Sequence, residues 1–126
     1  MAQKKIMLVD DDPDFVDAVK SVVEGAGYQV AVAYDGQECL EQVEAFAPDL
    51  IILDVMMPQV NGHQACKSLK ENPATAKIPV ILLTAVAERV TSSTYTHRDM
   101  LASDAEDYIP KPVEPEELLA RIKDWI

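Results

Sequence analysis

Asp10, Asp11, Asp54, Thr84 and Lys111 are the residues whose types and settings can do chemistry together. Asp10 and Asp11 stand in "IMLVDDDPDF", residues 6 to 15, where an apolar run meets Asp10, Asp11 and Asp12, with Asp14 close behind. Two carboxylates about 4 Å apart repel by roughly 4 kcal/mol at an effective dielectric near 20, so such a cluster needs separation, solvent, a proton or a cation. Asp54 follows the apolar run "LIIL", Thr84 follows "IPVILL", and Lys111 comes just after "DYIP". If those runs lie side by side, the carboxylates, the hydroxyl and the ammonium share one crevice. Crowded carboxylates suit Mg2+, which favours an octahedral oxygen shell, keeps some waters and shares phosphate oxygens. The lysine charge and the threonine hydroxyl can each meet a phosphoryl oxygen. One carboxylate can be the nucleophile that accepts the phosphoryl group, with catalysis resting on positioning and electrostatics.

The elements that must position these residues alternate along the chain. "KKIMLV" reads as a strand, and "DPDFVDAVKSVVEGAG" repeats Val16, Val19, Val22 and Val23 at helical spacing before Gly25 or Gly27 can stop it. "YQVAVAY" has strand composition, and "GQECLEQVEAFA" puts Leu40, Val43 and Phe46 on one helical face before Pro48. "LIIL" and "IPVILL" are wholly apolar, the mark of strands buried on both faces. "GHQACKSLKEN" is a helix between Gly62 and Pro73, "DYI" is a short strand, and "EPEELLARIKDWI" is a closing helix with Pro115 near its first turn. Strand and helix in repeated alternation imply one α/β domain, its parallel sheet covered by helices on both faces. Such sheets bind ligands outside the carboxyl ends of their strands, where strand order reverses. A strand order of 2-1-3-4-5 makes neighbours of the four strands that precede the reactive residues.

Bulk properties narrow the classes further. A chain of 126 residues, 48% apolar and 26% charged, can build one core without disulfides or a structural metal. The net charge of −11 argues against a general nucleic-acid surface, so no direct nucleic-acid binding is expected. Cys39 and Cys66 lack metal-ligand spacing, and "MAQKK" leads straight into a short strand with no apolar stretch for a signal or membrane span. A cytoplasmic protein without membrane contact is the expectation.

Four motifs, "MLVDDDP" at 7–13, "PDLIILDVMMPQVNG" at 48–62, "IPVILLTA" at 78–85 and "DYIPKP" at 107–112, give the chain its likeness to a known family. Over essentially its whole length it resembles the receiver domain of two-component response regulators. The resemblance implies a flavodoxin-like, doubly wound five-stranded parallel sheet of order 2-1-3-4-5. It also implies a single receiver domain over residues 1–126, with no output domain in this chain. Asp54 then matches the phospho-accepting aspartate, and Asp10 and Asp11 match the acidic pair that holds Mg2+, with Mn2+ able to substitute. Asp54 and the backbone carbonyl of Met56 would complete the protein's ligands. Thr84 and Lys111 match the residues that meet the phosphoryl group, and Tyr108 the aromatic whose rotamer reports the signalling state. The Lys111–Pro112 peptide is expected to be cis.

The implied function is a phosphoacceptor switch of a two-component phosphorelay, Mg-dependent and loaded by a sensor histidine kinase or a histidine phosphotransfer protein. Its phosphorylation would change the surface offered to a downstream protein; the identity of that partner and the oligomeric state are left open. It is not a conventional enzyme, since the group it modifies is its own Asp54. Met56 and Val86, two residues beyond Asp54 and Thr84, cannot act as a general base or readily orient a water, so self-dephosphorylation is expected to be slow. The alternative is a pseudo-receiver that binds partners without phosphorylation, against which the full reactive set weighs. A phosphohydrolase with its nucleophile in "DDD" at 10–12 would leave Asp54 without a role.

Local motifs have plainer readings. Asp12 before Pro13 is a helix cap. Asp10, Asp12 and Asp14 fit the first ligand positions of a calcium loop, but Phe15 and Ser21 stand where it requires glycine and glutamate. "HRD" at 97–99 lacks every other part of a protein kinase, and "GAG" at 25–27 precedes a strand, which makes it a helix stop. His63 and His97 have no partner ligands and read as surface residues. The interval from Thr84 to Lys111 is longer than the family usually shows, so a long loop or displaced helix is expected between Val86 and Ser103. "SDAEDY" also stands where the family commonly has a glycine before the last strand.

Overall fold

The wholly apolar runs become the centre of a parallel sheet in the computed structural model, which describes residues 3–55, 62–84 and 105–126. Strands β1 (Lys5–Val9), β2 (Gln29–Ala33), β3 (Leu50–Asp54), β4 (Val80–Thr84) and β5 (Asp107–Pro110) lie in the order β2-β1-β3-β4-β5. All neighbours pair in parallel, with Val9 opposite Leu53, Asp54 opposite Leu83 and Thr84 opposite Pro110. The described helices are α1 (Pro13–Gly25), α2 (Gly36–Phe46), α3 (Gly62–Glu71) and α4 (Pro115–Trp125).

Strand periodicity divides the core in two. Met7, Val9, Ile51, Leu53, Val80 and Leu82 point to one face, where Cys39, Val43, Ala65, Cys66 and Leu69 of α2 and α3 cover them. Ile6, Leu8, Leu50, Ile52, Ile81 and Leu83 point to the other, against Val16, Val23, Leu118 and Ile122 of α1 and α4. Every residue of β3 and β4 is buried, as runs without a polar alternation require. No described helix is long and apolar enough to cross a membrane.

Caps fix where the helices begin and end. Asp12 Oδ1 accepts the backbone N–H groups of Asp14 (3.1 Å) and Phe15 (3.4 Å), with Pro13 opening α1. Asp35 Oδ1 accepts the Glu38 N–H at 2.7 Å and starts α2. That helix ends at Ala47, whose φ of 53° is left-handed, just before the buried Pro48. β4 begins later than "IPVILL" implies. The Ile78 N–H donates to the Thr75 carbonyl at 3.1 Å, closing a turn, so the strand opens at Val80.

Entry into β5 is anchored by Glu106 in place of a glycine turn. Its carboxylate accepts the Val80 N–H at 2.7 Å and pairs with Lys70 at 2.8 Å, while Lys70 also donates to the Ile78 carbonyl at 2.7 Å. The long loop or displaced helix expected between Val86 and Ser103 lies outside the described residues.

Candidate functional site

The chain leaves β1 for the β2 edge and leaves β3 toward β4, so the carboxyl ends of the adjacent strands β1 and β3 open onto a crevice. Asp10 continues the ladder one residue beyond β1, its N–H donating to the Ala33 carbonyl at 3.1 Å. That bond turns its side chain inward, and Asp10 is fully buried. One carboxylate oxygen accepts the Asp12 N–H and the other the Lys111 ammonium, each at 3.0 Å. Asp11, the next residue, is exposed at the rim. Asp54 closes β3 and is 3% exposed; Thr84 closes β4 and is 4% exposed. The Thr84 carbonyl accepts the Lys111 N–H at 3.0 Å, which holds the start of the β5–α4 connection over the crevice. The Lys111–Pro112 peptide is cis.

Charge balance decides what this arrangement can hold. Carboxylate oxygens of Asp10, Asp11 and Asp54 lie within 4.8 Å of one another. Each pair at that separation repels by about 3 kcal/mol at an effective dielectric near 20. Lys111 Nζ is 3.0 Å from Asp10 and 3.5 Å from Asp54, and it partly offsets them. Among the described residues, three carboxylates against one ammonium leave two negative charges, the amount a divalent cation cancels. An all-oxygen, partly buried acidic cluster of this kind fits Mg2+. Burial pulls the Lys111 ammonium toward its neutral form, but the Asp10 hydrogen bond and the Asp54 and Asp10 charges outweigh it and hold its pKa above the ordinary lysine value.

The crevice also gathers residues that sequence reasoning passed over. The Phe15 ring centroid lies 4.5 Å from Lys111 Nζ. Gly62, the first residue of α3, donates its N–H to the Val55 carbonyl at 3.0 Å. A Cβ on Gly62 would overlap the Asp54 carbonyl oxygen and lie 2.6 Å from Val55 Cα. Gly62 was legible only as a helix boundary, and no local signal joins Phe15 to a lysine that follows a strand at the far end of the chain.

Other candidates lie elsewhere. Tyr108 is half-buried on β5 and packs against the α2–α3 face of the core. Asp12 is engaged as the α1 cap. Met56, with the backbone carbonyl expected to ligate metal, lies outside the described residues, as do Val86 and His97. The cysteines are both buried and free of disulfides. Burial pushes the Cys39 thiol up to about 12, and its sulfur faces Met7 Sδ at 3.8 Å, so it is an inert core thiol.

Known proteins share this geometry and sequence. The DNA-binding response regulator MtrA of Mycolicibacterium smegmatis is 36% identical over 124 residues, 96% of this chain and 50% of the relative. The DNA-binding dual master transcriptional regulator RpaA of Synechocystis is 39% identical over 122 residues, 94% of this chain and 47% of the relative. The chain thus spans about half the length of these curated relatives. Among solved structures, the chemotaxis protein CheY4 of Vibrio cholerae superimposes with a TM-score of 0.86 at 28% identity, over 99% of this chain and 100% of that one.

These relatives correct one expectation. The acidic charge pointed to no direct nucleic-acid binding, yet MtrA and RpaA are DNA-binding by name. The −11 is a sum over this chain alone. It carries no information about the Lys and Arg content of the half of each relative that lies outside the match, and phosphate binding depends on local clusters of those residues. Net charge of a receiver segment is therefore no guide to nucleic-acid contact in proteins of this kind. A match to the response regulator receiver domain runs over residues 6–123, taking in the whole crevice and all but the first residue of the sheet, and the chain belongs to that family of phosphoacceptor signalling switches.

Proposed function

We propose that residues 1–126 act as one receiver domain whose Asp54 takes a phosphoryl group from a histidine-bearing donor, a sensor kinase or a phosphotransfer protein. One observation carries this reading: the Asp54 carboxylate, buried at the end of β3, lies 3.5 Å from Lys111 Nζ, with the Asp10 and Asp11 carboxylates beside it. In the transfer, an Asp54 carboxylate oxygen forms a bond to phosphorus as the P–N bond to the donor imidazole breaks. The electron pair stays on the imidazole nitrogen, which takes a proton from water. Lys111 donates to one phosphoryl oxygen and the Thr84 hydroxyl to another, so charge that develops on those oxygens meets fixed donors. Asp10, held by the Asp12 N–H and by Lys111, keeps its carboxylate oriented throughout.

Asp10, Asp11, Asp54 and the Met56 carbonyl would hold Mg2+, with Mn2+ as a substitute. When bound, the ion supplies positive charge that lets a phosphoryl group approach three carboxylates. Met56 and Val86 offer no group to activate water, so the acyl phosphate is long-lived. Tyr108 takes the part of a reporter, its rotamer following the state of Thr84. Phosphorylation shifts the domain toward an active surface only in so far as that state holds the phosphoryl group better. The name of RpaA, a transcriptional regulator, points to gene regulation as the process served. Buried cysteines without a disulfide suit a reducing cytoplasm.

Intact-mass analysis after incubation with a small acyl phosphate tests the reading. The wild type with Mg2+ gains one phosphoryl group; Asp54→Asn and the metal-free protein do not. A wild type that gains none, and that also fails to bind beryllofluoride with Mg2+, contradicts the reading and leaves a binding module of the same fold.

A further inference from the structure

Lys111 stands on a flexible four-carbon stem, and something must choose where its ammonium rests. Two of its directions are accounted for by Asp10 at 3.0 Å and Asp54 at 3.5 Å. Its approach to the Phe15 ring, 4.5 Å from the centroid, supplies a third. An aromatic face carries negative electrostatic potential and attracts a cation at this range. Phe15 is itself fixed. Its N–H is capped by Asp12 at 3.4 Å, and its half-buried ring packs on the core cluster that holds Val16, Leu118 and Ile122. Behind the ring, Ala18, Val19, Val113 and Leu118 line an apolar pocket of about 150 Å³ between α1 and α4. A leucine could fill the same apolar seat, but it would offer the ammonium no negative face. The contact therefore does more than packing asks.

We infer that Phe15 is a positioning residue for phosphoryl transfer: its ring holds the Lys111 ammonium over the Asp10–Asp54 crevice, in the place a phosphoryl oxygen must reach. The inference rests on the phosphoacceptor reading above and deepens it. A lysine held in place before the donor arrives needs less reordering in the transition state. The ring also excludes water from one side of the ammonium, which strengthens its pull on an incoming oxygen.

Fluorinated phenylalanines at position 15 test this without changing the fold, because fluorine drains the ring face and barely alters its size. Mono-, di- and trifluoro variants are compared for the rate of Asp54 phosphorylation by a small acyl phosphate at saturating Mg2+. The rate is expected to fall stepwise, reaching about three-fold at trifluoro, the scale of a half-exposed cation–π contact. In a Lys111→Met background the dependence on fluorine disappears. In the metal-free protein, nuclear magnetic resonance of the Lys111 side-chain methylenes gives a ring-current shift that is lost in Phe15→Leu and restored in Phe15→Tyr. Rates independent of fluorination, in a wild type that is phosphorylated, overturn the inference alone. An unmodified wild type overturns the phosphoacceptor reading and this inference with it. A missing ring-current shift refutes the contact itself.

Discussion

Gly62→Ala is the substitution whose effect the geometry sets most tightly. The new Cβ would overlap the Asp54 carbonyl oxygen and would sit 2.6 Å from Val55 Cα and 2.9 Å from the Asp54 carbonyl carbon. Optimal carbon–carbon contact is about 3.5 Å, so the first turn of α3 and the end of β3 must part by roughly 0.9 Å. The obstructing atoms are backbone, and no rotamer change can move them aside. Overpacking of this kind costs about 1–3 kcal/mol. Alanine's better helix propensity returns less than about 1 kcal/mol. A net loss of about 1–2 kcal/mol is expected, read as a lower urea midpoint. The larger effect falls on Asp54, because the strain enters through its own carbonyl. A displacement near 1 Å at a reacting group can cost about 100-fold in rate. With the movement shared between α3 and β3, phosphorylation by an acyl phosphate is expected to slow by about ten-fold. Unchanged stability together with an unchanged rate would refute the close approach of α3 to the Asp54 backbone.

Further outcomes follow from the caps and ion pairs. Asp12→Ala removes the acceptor of the Asp14 and Phe15 N–H groups and is expected to cost about 1 kcal/mol in urea unfolding, with Asp12→Asn near wild type; a large loss of Mg2+ affinity in the asparagine variant would instead make Asp12 a ligand. Burial pushes the Asp107 carboxyl up, but hydrogen bonds from the Trp125 indole, the Tyr108 N–H and Arg121, with the Arg121 charge, hold it below the ordinary aspartate range. Its stabilisation is therefore fully present above the unfolded aspartate value near 3.9 and is lost as pH falls through the lower folded value. Asp107→Asn is expected to be less stable at pH 7 and to flatten the acid side of the stability profile; an unaltered slope below pH 4 would exclude that role. Lys111→Met leaves Asp10 buried without its cation, with an expected cost of about 2 kcal/mol without divalent metal, discounted for the partial exposure of Lys111. Added Mg2+ is expected to restore much of this loss by mass action, and a variant as stable as wild type in chelator would contradict the charge balance.

Much of this site was legible because strand ends are legible. "LIIL" and "IPVILL" have no polar alternation, which forces them to the centre of a sheet covered on both faces, and a central parallel strand must end at its ligand-bearing edge. That logic located Asp54 and Thr84 from the residues that precede them. Asp12 was readable because capping is local: an acid followed by proline has few other uses. What stayed hidden depends on distance through the chain. The Phe15–Lys111 contact joins the first turn of α1 to the connection after β5, and no periodicity encodes it. Gly62 could be seen to start a helix, but the approach of that helix to the Asp54 backbone is a tertiary fact. Val80 rather than Ile78 opens β4 because a turn at Thr75 claims the Ile78 N–H, a competition that hydropathy does not register. The error over nucleic acid had another cause: composition was summed over a segment, while DNA binding in relatives of about twice this length need not involve the matched half.

Asp54 as the nucleophile, with Asp10 and Asp11 serving the metal, is the assignment on which the proposed switch depends. It is tested most directly by treating the protein with a small acyl phosphate and Mg2+, reducing the acyl phosphate with borohydride, and mapping the reduced residue by peptide mass spectrometry. The expected result is a single modified residue, Asp54, and no modification without Mg2+. Reduction at Asp10 or Asp11 would contradict it and make the acids after β1 the site of covalent chemistry.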